Sequence, residues 1–458
     1  MTIYKQVSAI YIAILNPKYK IISFLTKKLQ ILFFLPSVSS ISAAHSSHFS
    51  DIIAKYNNHK LLIKNMILKL KSQHRKLLTQ TGIIVVIAVI FAIIMPLALS
   101  GFRLKLLGRF LSLTIVALGI DLIWGYTGLL SLGHGIFFAL GGYALAMHLK
   151  LQLPEGELPE FFTLYGVEKL PIFWQPFHSF PLTILAIIII PAVTAAILGY
   201  LVFKNRIKGV YFSIITQAAL LVFFNFFNGQ QKLINGTNGL KTDIEKFFGI
   251  LAGSEQAQLI FYEVTIISVI IIYLICRWLT SGRFGRLLIA IRDDETRVRF
   301  SGYNPTQFKV LVFAISGAIA GISGALYTVQ SGIVTPSYME VAFSIEMVIW
   351  VAVGGRGTLV GAIIATLLVN FGRTFLSEKF PEIWLFFQGV LFLLVVTILP
   401  NGIVGWWQEY GWLKLRSLLG YSQSIMTYPN IDKNPEVQVE REEVEKQQLG
   451  SDEVKKKW

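Results

Sequence analysis

Residues 259–279, "LIFYEVTIISVIIIYLICRWL", and residues 310–329, "VLVFAISGAIAGISGALYTV", are each apolar over about twenty positions. That is the length at which an α-helix crosses the hydrocarbon core of a bilayer. Between them stands "GRFGRLLIAIRDDETRVRFSGYNPTQFK", residues 282–309, with Asp293, Asp294 and Glu295 in a row among basic residues. Two spans joined by a charged segment predict an all-α polytopic membrane protein. A β-barrel would show short segments of alternating hydrophobicity instead.

Composition agrees with that reading. The 458 residues are 54% hydrophobic and 15% charged, with a mean hydropathy of +0.61, where soluble domains carry about 25% charged residues. Apolar runs recur near 79–100, 104–124, 132–149, 181–203, 209–228, 259–279, 308–330, 341–353, 357–376 and 383–402, which predicts about ten transmembrane or re-entrant helices. The eighth is too short to cross about 30 Å alone, so it reads as a half-helix or as continuous with the Gly-rich turn after it.

The net charge of +15 is unevenly placed. Residues 1–76 hold twelve Lys/Arg against one acid, Asp51, a surplus of +11 that leaves only +4 for the remainder. The body is therefore no polyanion binder, and nucleic acid is not an expected partner. Three regions follow. Residues 1–76 form a basic N-terminal extension with broken apolar runs, and the basic lead at Met66 suggests that translation starts there. Residues 77–405 form the membrane domain. Residues 406–458 form a tail with eight basic and nine acidic residues, expected to be cytoplasmic and disordered.

Lys and Arg collect in cytoplasmic loops. Arg277, Arg283, Arg286, Arg292, Arg297, Arg299 and Lys309 place the charged segment there, and Lys204, Arg206 and Lys208 agree. Loops 150–180 and 229–258 then fall outside, and both termini are cytoplasmic. Arg103, Lys105 and Arg109 run against this pattern, since they land at the outer edge.

The stretch "GYTGLLSLGHGIFFALGGYALAMHL", 125–149, is rich in Gly. Its glycines permit either close helix packing or a broken helix whose freed amides face a path. Ser131 and His134 are polar groups at membrane depth, placed on a pathway or in a helix–helix hydrogen bond. Asp121 and Glu346 are the acids nearest to intramembrane positions, with no basic partner evident in sequence. Gly317, Gly321 and Gly324 mark a close-packing face. Cys276 is the sole cysteine and the seven histidines are scattered, which argues against disulfides and a metal site. No Gly-x-x-x-x-Gly-Lys-Ser/Thr phosphate loop occurs, so the chain does not itself hydrolyse ATP. No catalytic constellation or cofactor motif is found.

After Arg283 the charged segment reads as one amphipathic helix, with Leu287, Leu288, Ile291 and Val298 as its apolar face. Gly302 stops it and Asn304-Pro305 turns the chain into the next span. Such a helix suits docking into a groove on a soluble partner.

This arrangement resembles the permease subunits of ABC importers, and more narrowly the branched-chain amino acid permease family. The matching pieces are "GYTGLLSLGHGIFFALGGYA", "GVYFSIITQA", "NGTNGL", "GRFGRLLIAIRDDETRVRFSGYN" and "VGGRGTLVGA", in an order that covers about residues 80–405. Within the family, "LPEFFTLYGVEKLPIFWQPFHSFP" and "SLGHGIFFALGGYALAMHLKL" are similar to the urea-transport branch. The resemblance implies a bacterial inner-membrane subunit, surrounded by lipid and working in nitrogen uptake. Its partners would be a second homologous permease, two cytoplasmic ATPases and a periplasmic binding protein that delivers urea. It makes the charged segment the ATPase-coupling element, with Gly285, Arg292, Asp293, Asp294, Glu295 and Gly302 as its contact set. A path for urea needs polar side chains such as Ser131, Gln217 and Asn225, with His134 and Glu346 as further candidates. The alternatives are amino-acid uptake by the same architecture, and a secondary transporter or channel that works without ATP.

Overall fold

A computed structural model describes residues 89–383, except 155, 156 and 208, and scattered positions on either side between 82 and 406. The expectations for residues 1–76, for a start at Met66 and for the tail lie outside the described residues. The helices belong to one compact unit, Ile83–Trp458. They are α1 (Val89–Ala98), α2 (Gly101–Thr127), α3 (His134–Lys150), α4 (Phe180–Lys204), α5 (Val210–Gly229), α6 (Glu255–Ser281), α7 (Arg283–Asp293), α8 (Glu295–Phe300), α9 (Pro305–Ser331), α10 (Val341–Gly354) and α11 (Leu359–Lys379).

Among the described residues six helices, α2, α4, α5, α6, α9 and α11, are long and apolar enough to cross a membrane. The protein is a multi-pass helical membrane protein, but the expected ten spans are not all present as such. The runs at 132–149 and 341–353 are half-spans, and much of the first half of the first run and most of 383–402 lie outside the described residues.

α2 is the central pillar, with 89% of its most apolar window buried, whereas α4 and α5 bury 28% and 22% of theirs. α9 packs along α2 and crosses α3 at very close range. A Cβ at Gly324 would fall on the carbonyl of Phe138, and one at Gly141 on the backbone of Gly321. Small residues at such a crossing let van der Waals packing hold helices together where lipid supplies no hydrophobic drive.

Two apolar helical runs are interrupted part-way along the bundle. After α2 the chain turns at Gly128, in the left-handed region at φ 73°, and runs without regular structure to His134. Its freed backbone is satisfied from α5. Ser213 Oγ donates to Leu130 O at 2.7 Å, and Thr216 Oγ1 accepts from Leu132 N at 3.1 Å. The second interruption follows α9, through β2 (Ile333–Val334) and a 3-10 turn at Pro336–Met339 before α10 begins. β2 pairs antiparallel with β1 (Leu240–Lys241), Leu240 opposite Val334. The two half-helices meet where Gly135 N donates to Ser344 Oγ at 3.3 Å.

One of the basic residues that broke the loop-charge pattern, Arg109, has a structural role. Arg109 donates through Nε to Gln330 O at 3.0 Å and through Nη2 to Ser331 O at 3.3 Å, which are last-turn carbonyls of α9. A cation at a helix C-terminus satisfies orphan carbonyls and complements the helix dipole.

Candidate functional site

The charged segment folds as an elbow of two helices, not as one. α7 ends at Asp293, and Asp294 caps α8. Its Oδ1 accepts from Thr296 N at 2.9 Å and Arg297 N at 3.2 Å, and its carboxylate pairs with Arg297 Nε at 2.9 Å. The Arg297 amide, ahead of the Thr296 amide and the Arg297 charge, holds the Asp294 carboxyl below the usual carboxylate range. An Asp directly before Glu-Thr is a helix-start signal, so the break was readable, though overridden by the apolar periodicity.

The apolar face expected to meet a partner is turned into the chain's own body: Leu288, Ile291 and Val298 are buried. The expected contact set divides. Arg292 Nη1 donates to Gly125 O at 2.8 Å, near the C-terminus of α2. Glu295 is buried between Lys309 Nζ at 2.6 Å and Arg299 Nη2 at 2.8 Å. A Cβ on Gly285 would fall on the Thr280 carbonyl, so this glycine seats α7 against the end of α6. Gly302, at φ 85°, ends α8 with open space around it. Asp293 stands exposed, as do Arg283, Arg286, Arg297, Tyr303 and Phe300, the last at 88%. An elbow of this kind offers a partner a charged rim and the exposed aromatic rings of Phe300 and Tyr303.

The intramembrane polar residues sort by environment. Ser131 is fully buried, and its Oγ accepts from Gly133 N at 3.3 Å. His134 is sealed among Phe137 and Phe313. Its Nε2 lies 2.7 Å from Ser316 Oγ, while that hydroxyl donates to Gly119 O at 2.6 Å. The serine oxygen therefore accepts, and Nε2 carries the proton. Gln217 is half-buried on α5; Asn225 is exposed there and donates to Leu221 O at 2.9 Å. Asp121 accepts from Gly357 N at 2.6 Å and so fastens the turn between α10 and α11 to α2. In that turn Arg356 lies over the Trp124 ring at 5.3 Å.

Glu346 has a partner that sequence reasoning missed. Its Oε2 lies 2.5 Å from Arg373 Nη1, across from α10 to α11. The Glu346 side chain is 11% exposed and that of Arg373 41%. The two are 27 positions apart on different helices. The only available signal was an arginine inside the otherwise apolar run at 357–376.

With this geometry in hand, the comparisons with known proteins are direct. The sequence profile described as the branched-chain amino acid transport system permease component matches residues 102–396. The high-affinity branched-chain amino acid transport system permease protein LivM of Salmonella typhimurium is 26% identical over 311 residues, covering 63% of this chain and 67% of the relative. LivM of Escherichia coli is 25% identical with the same coverage. The probable LivM of Methanocaldococcus jannaschii is 25% identical over 319 residues, covering 63% of this chain and 89% of the relative. No solved structure gives a significant match.

Proposed function

The chain belongs to the branched-chain amino acid transport system permease family, and on that premise we propose that it is the membrane-spanning subunit of an ABC importer for aliphatic amino acids. A second homologous permease completes the pore, two ATPases power it, and a periplasmic binding protein delivers the substrate. The elbow end of the bundle faces the cytoplasm of a bacterial inner membrane, with both chain termini on that side. The ATPase sits on the exposed rim of the elbow, with Phe300 as its anchor and Asp293 and Arg297 beside it.

The observation that carries the substrate class is the Glu346–Arg373 pair. Glu346 has no basic partner evident in sequence, but Arg373 supplies one in the fold, and such a charge pair suits a zwitterionic solute better than a neutral one. The named relatives all carry branched-chain amino acids in their descriptions. Urea stays as a second reading, supported by the resemblance of residues 131–151 and 158–181 to the urea branch. Uptake of labelled leucine and of labelled urea in a deletion strain tests the choice. Loss of leucine uptake supports the amino-acid reading, and loss of urea uptake alone moves the chain to the urea branch. Phe300→Ala should leave the membrane body intact and reduce co-purification of the ATPase. Normal co-purification and uptake in that variant would remove the elbow from the coupling role.

A further inference from the structure

The Glu346–Arg373 pair has a placement that a simple brace does not require. α10 and α11 leave a common turn at 354–358. Glu346 stands eight residues from Gly354, or about 12 Å along the axis at 1.5 Å per residue. Arg373 stands fourteen residues from Leu359, or about 21 Å. The guanidinium therefore reaches back toward the membrane centre. It does not snorkel to the near end of α11 at Lys379, about 9 Å further along the helix.

Arg373 is also on the wrong side of its helix for lipid. Exposed Ile364, Leu368 and Phe375 form one stripe along α11. Arg373 falls on the opposite face at 3.6-residue spacing, the face of buried Ala362, Thr366 and Asn370. Its side chain is nevertheless 41% exposed. Beside it the first turn of α10 leaves Ala342 and Ile345 exposed. A guanidinium open to hydrocarbon is expensive, so its open side meets water or a polar solute.

We propose that Glu346 and Arg373 form a zwitterion clamp on the translocation path. The substrate α-carboxylate replaces Glu346 on the Arg373 guanidinium, and the released Glu346 carboxylate takes the substrate ammonium. One ion pair and one zwitterion become two ion pairs, with no change in net charge. The planar guanidinium matches a carboxylate through two parallel hydrogen bonds. Urea, which has no charges to exchange, would leave the pair closed. The clamp rests on the amino-acid reading above.

The test uses the assembled transporter in proteoliposomes, with leucine-loaded binding protein at saturation. Arg373→Gln and Glu346→Gln should each lower leucine uptake at least about tenfold. Subunit composition should stay at the wild-type level. The charge-swapped double variant, Glu346→Arg with Arg373→Glu, rebuilds the pair but would hold the substrate the wrong way round. The clamp predicts intact assembly and lost uptake for it, whereas full recovery of uptake would reduce the pair to a brace and overturn the proposal. Loss of the second permease from Arg373→Gln complexes would make Arg373 a subunit contact, also overturning it. A wild-type transporter that carries urea and not leucine defeats the amino-acid reading and the clamp together. Normal leucine uptake in both single variants defeats the clamp alone.

Discussion

α3 and α10 are two half-spans that begin side by side within the bundle and run to opposite ends. α3 reaches Lys150, which pairs with Glu245 at 2.5 Å, and α10 reaches the turn that Asp121 fastens. Their surroundings differ. In α3 only Leu140 and Lys150 escape burial. The first turn of α10 is open at Ala342 and Ile345, with Glu346 and half-exposed Arg373 beside it. The titratable group of each half-span follows suit: His134 is sealed inside the bundle with its Nε2 on Ser316 Oγ, while the Glu346 pair can be reached from outside it. A polar residue at membrane depth thus points to a path only when its surroundings leave it accessible. When it is sealed and paired, it is helix–helix glue.

The largest effect should come from filling the sealed crossing. In Gly324→Val the new side chain meets the Phe138 carbonyl, which is backbone and cannot step aside. Overpacking costs about 1–3 kcal/mol or more, and this obstacle puts it at the upper end. Folded protein should be nearly absent from a size-exclusion profile. Ala342→Val, on the open turn, should accumulate like wild type. Equal yields of the two variants would break the sealed/open contrast.

Next in size is the joint between the half-spans. Ser344→Ala leaves the Gly135 amide buried without its acceptor, a loss of about 1–3 kcal/mol. The thermal midpoint in detergent should fall, and Ser344→Thr should restore most of it. If Ser344→Ala melts like wild type, the two half-spans are not coupled through this contact.

Accessibility sharpens the contrast without relying on stability. The single native cysteine, Cys276, is fully buried and gives a low background. Ala342→Cys should react with a membrane-impermeant maleimide, and Ile136→Cys, in the first turn of α3, should not. Labelling of both positions at similar rates would put α3 on a water-filled path as well.

The spans were legible because lipid demands about twenty apolar residues in a row, a local property of sequence. Helix starts at the bundle ends were legible for the same kind of reason. Ser254 accepts from Ala257 N and Asn304 from Thr306 N, each at the helix it precedes. The half-spans were only partly legible. The glycines at 128–142 announced a break, but the first turn of α3 takes its acceptor from Ser344, 209 positions away. The Glu346–Arg373 pair and the Arg292 contact to Gly125 are likewise long-range, and periodicity carries no record of them. The apolar stripe of the elbow was correctly seen as a stripe, but whether it faces a partner or the chain's own body is decided by tertiary packing.

The smallest effect belongs to the break that is capped locally. Asp294 holds the start of α8 through its own carboxylate, and that carboxyl titrates below the usual range. A group whose folded value is depressed adds stability above the unfolded carboxylate value of about 3.9, and that contribution disappears as pH falls through the folded value. The protection of the amides of residues 295–300, taken as exchange relative to the intrinsic rate at each pH, should therefore be high at neutral pH and fall once the pH drops below about 4, as hydrogen exchange read by mass spectrometry would show. Asp294→Asn keeps a capping oxygen that does not ionise. It should hold α8 with much less dependence on pH, whereas Asp294→Ala should fray it at every pH. Neither should move the thermal midpoint of the membrane body, because the cap serves one short helix outside the bundle. A fall in that midpoint matching Ser344→Ala would mean that the elbow and the half-span joint unfold as one unit, and the distinction between local and long-range caps would lose its energetic meaning.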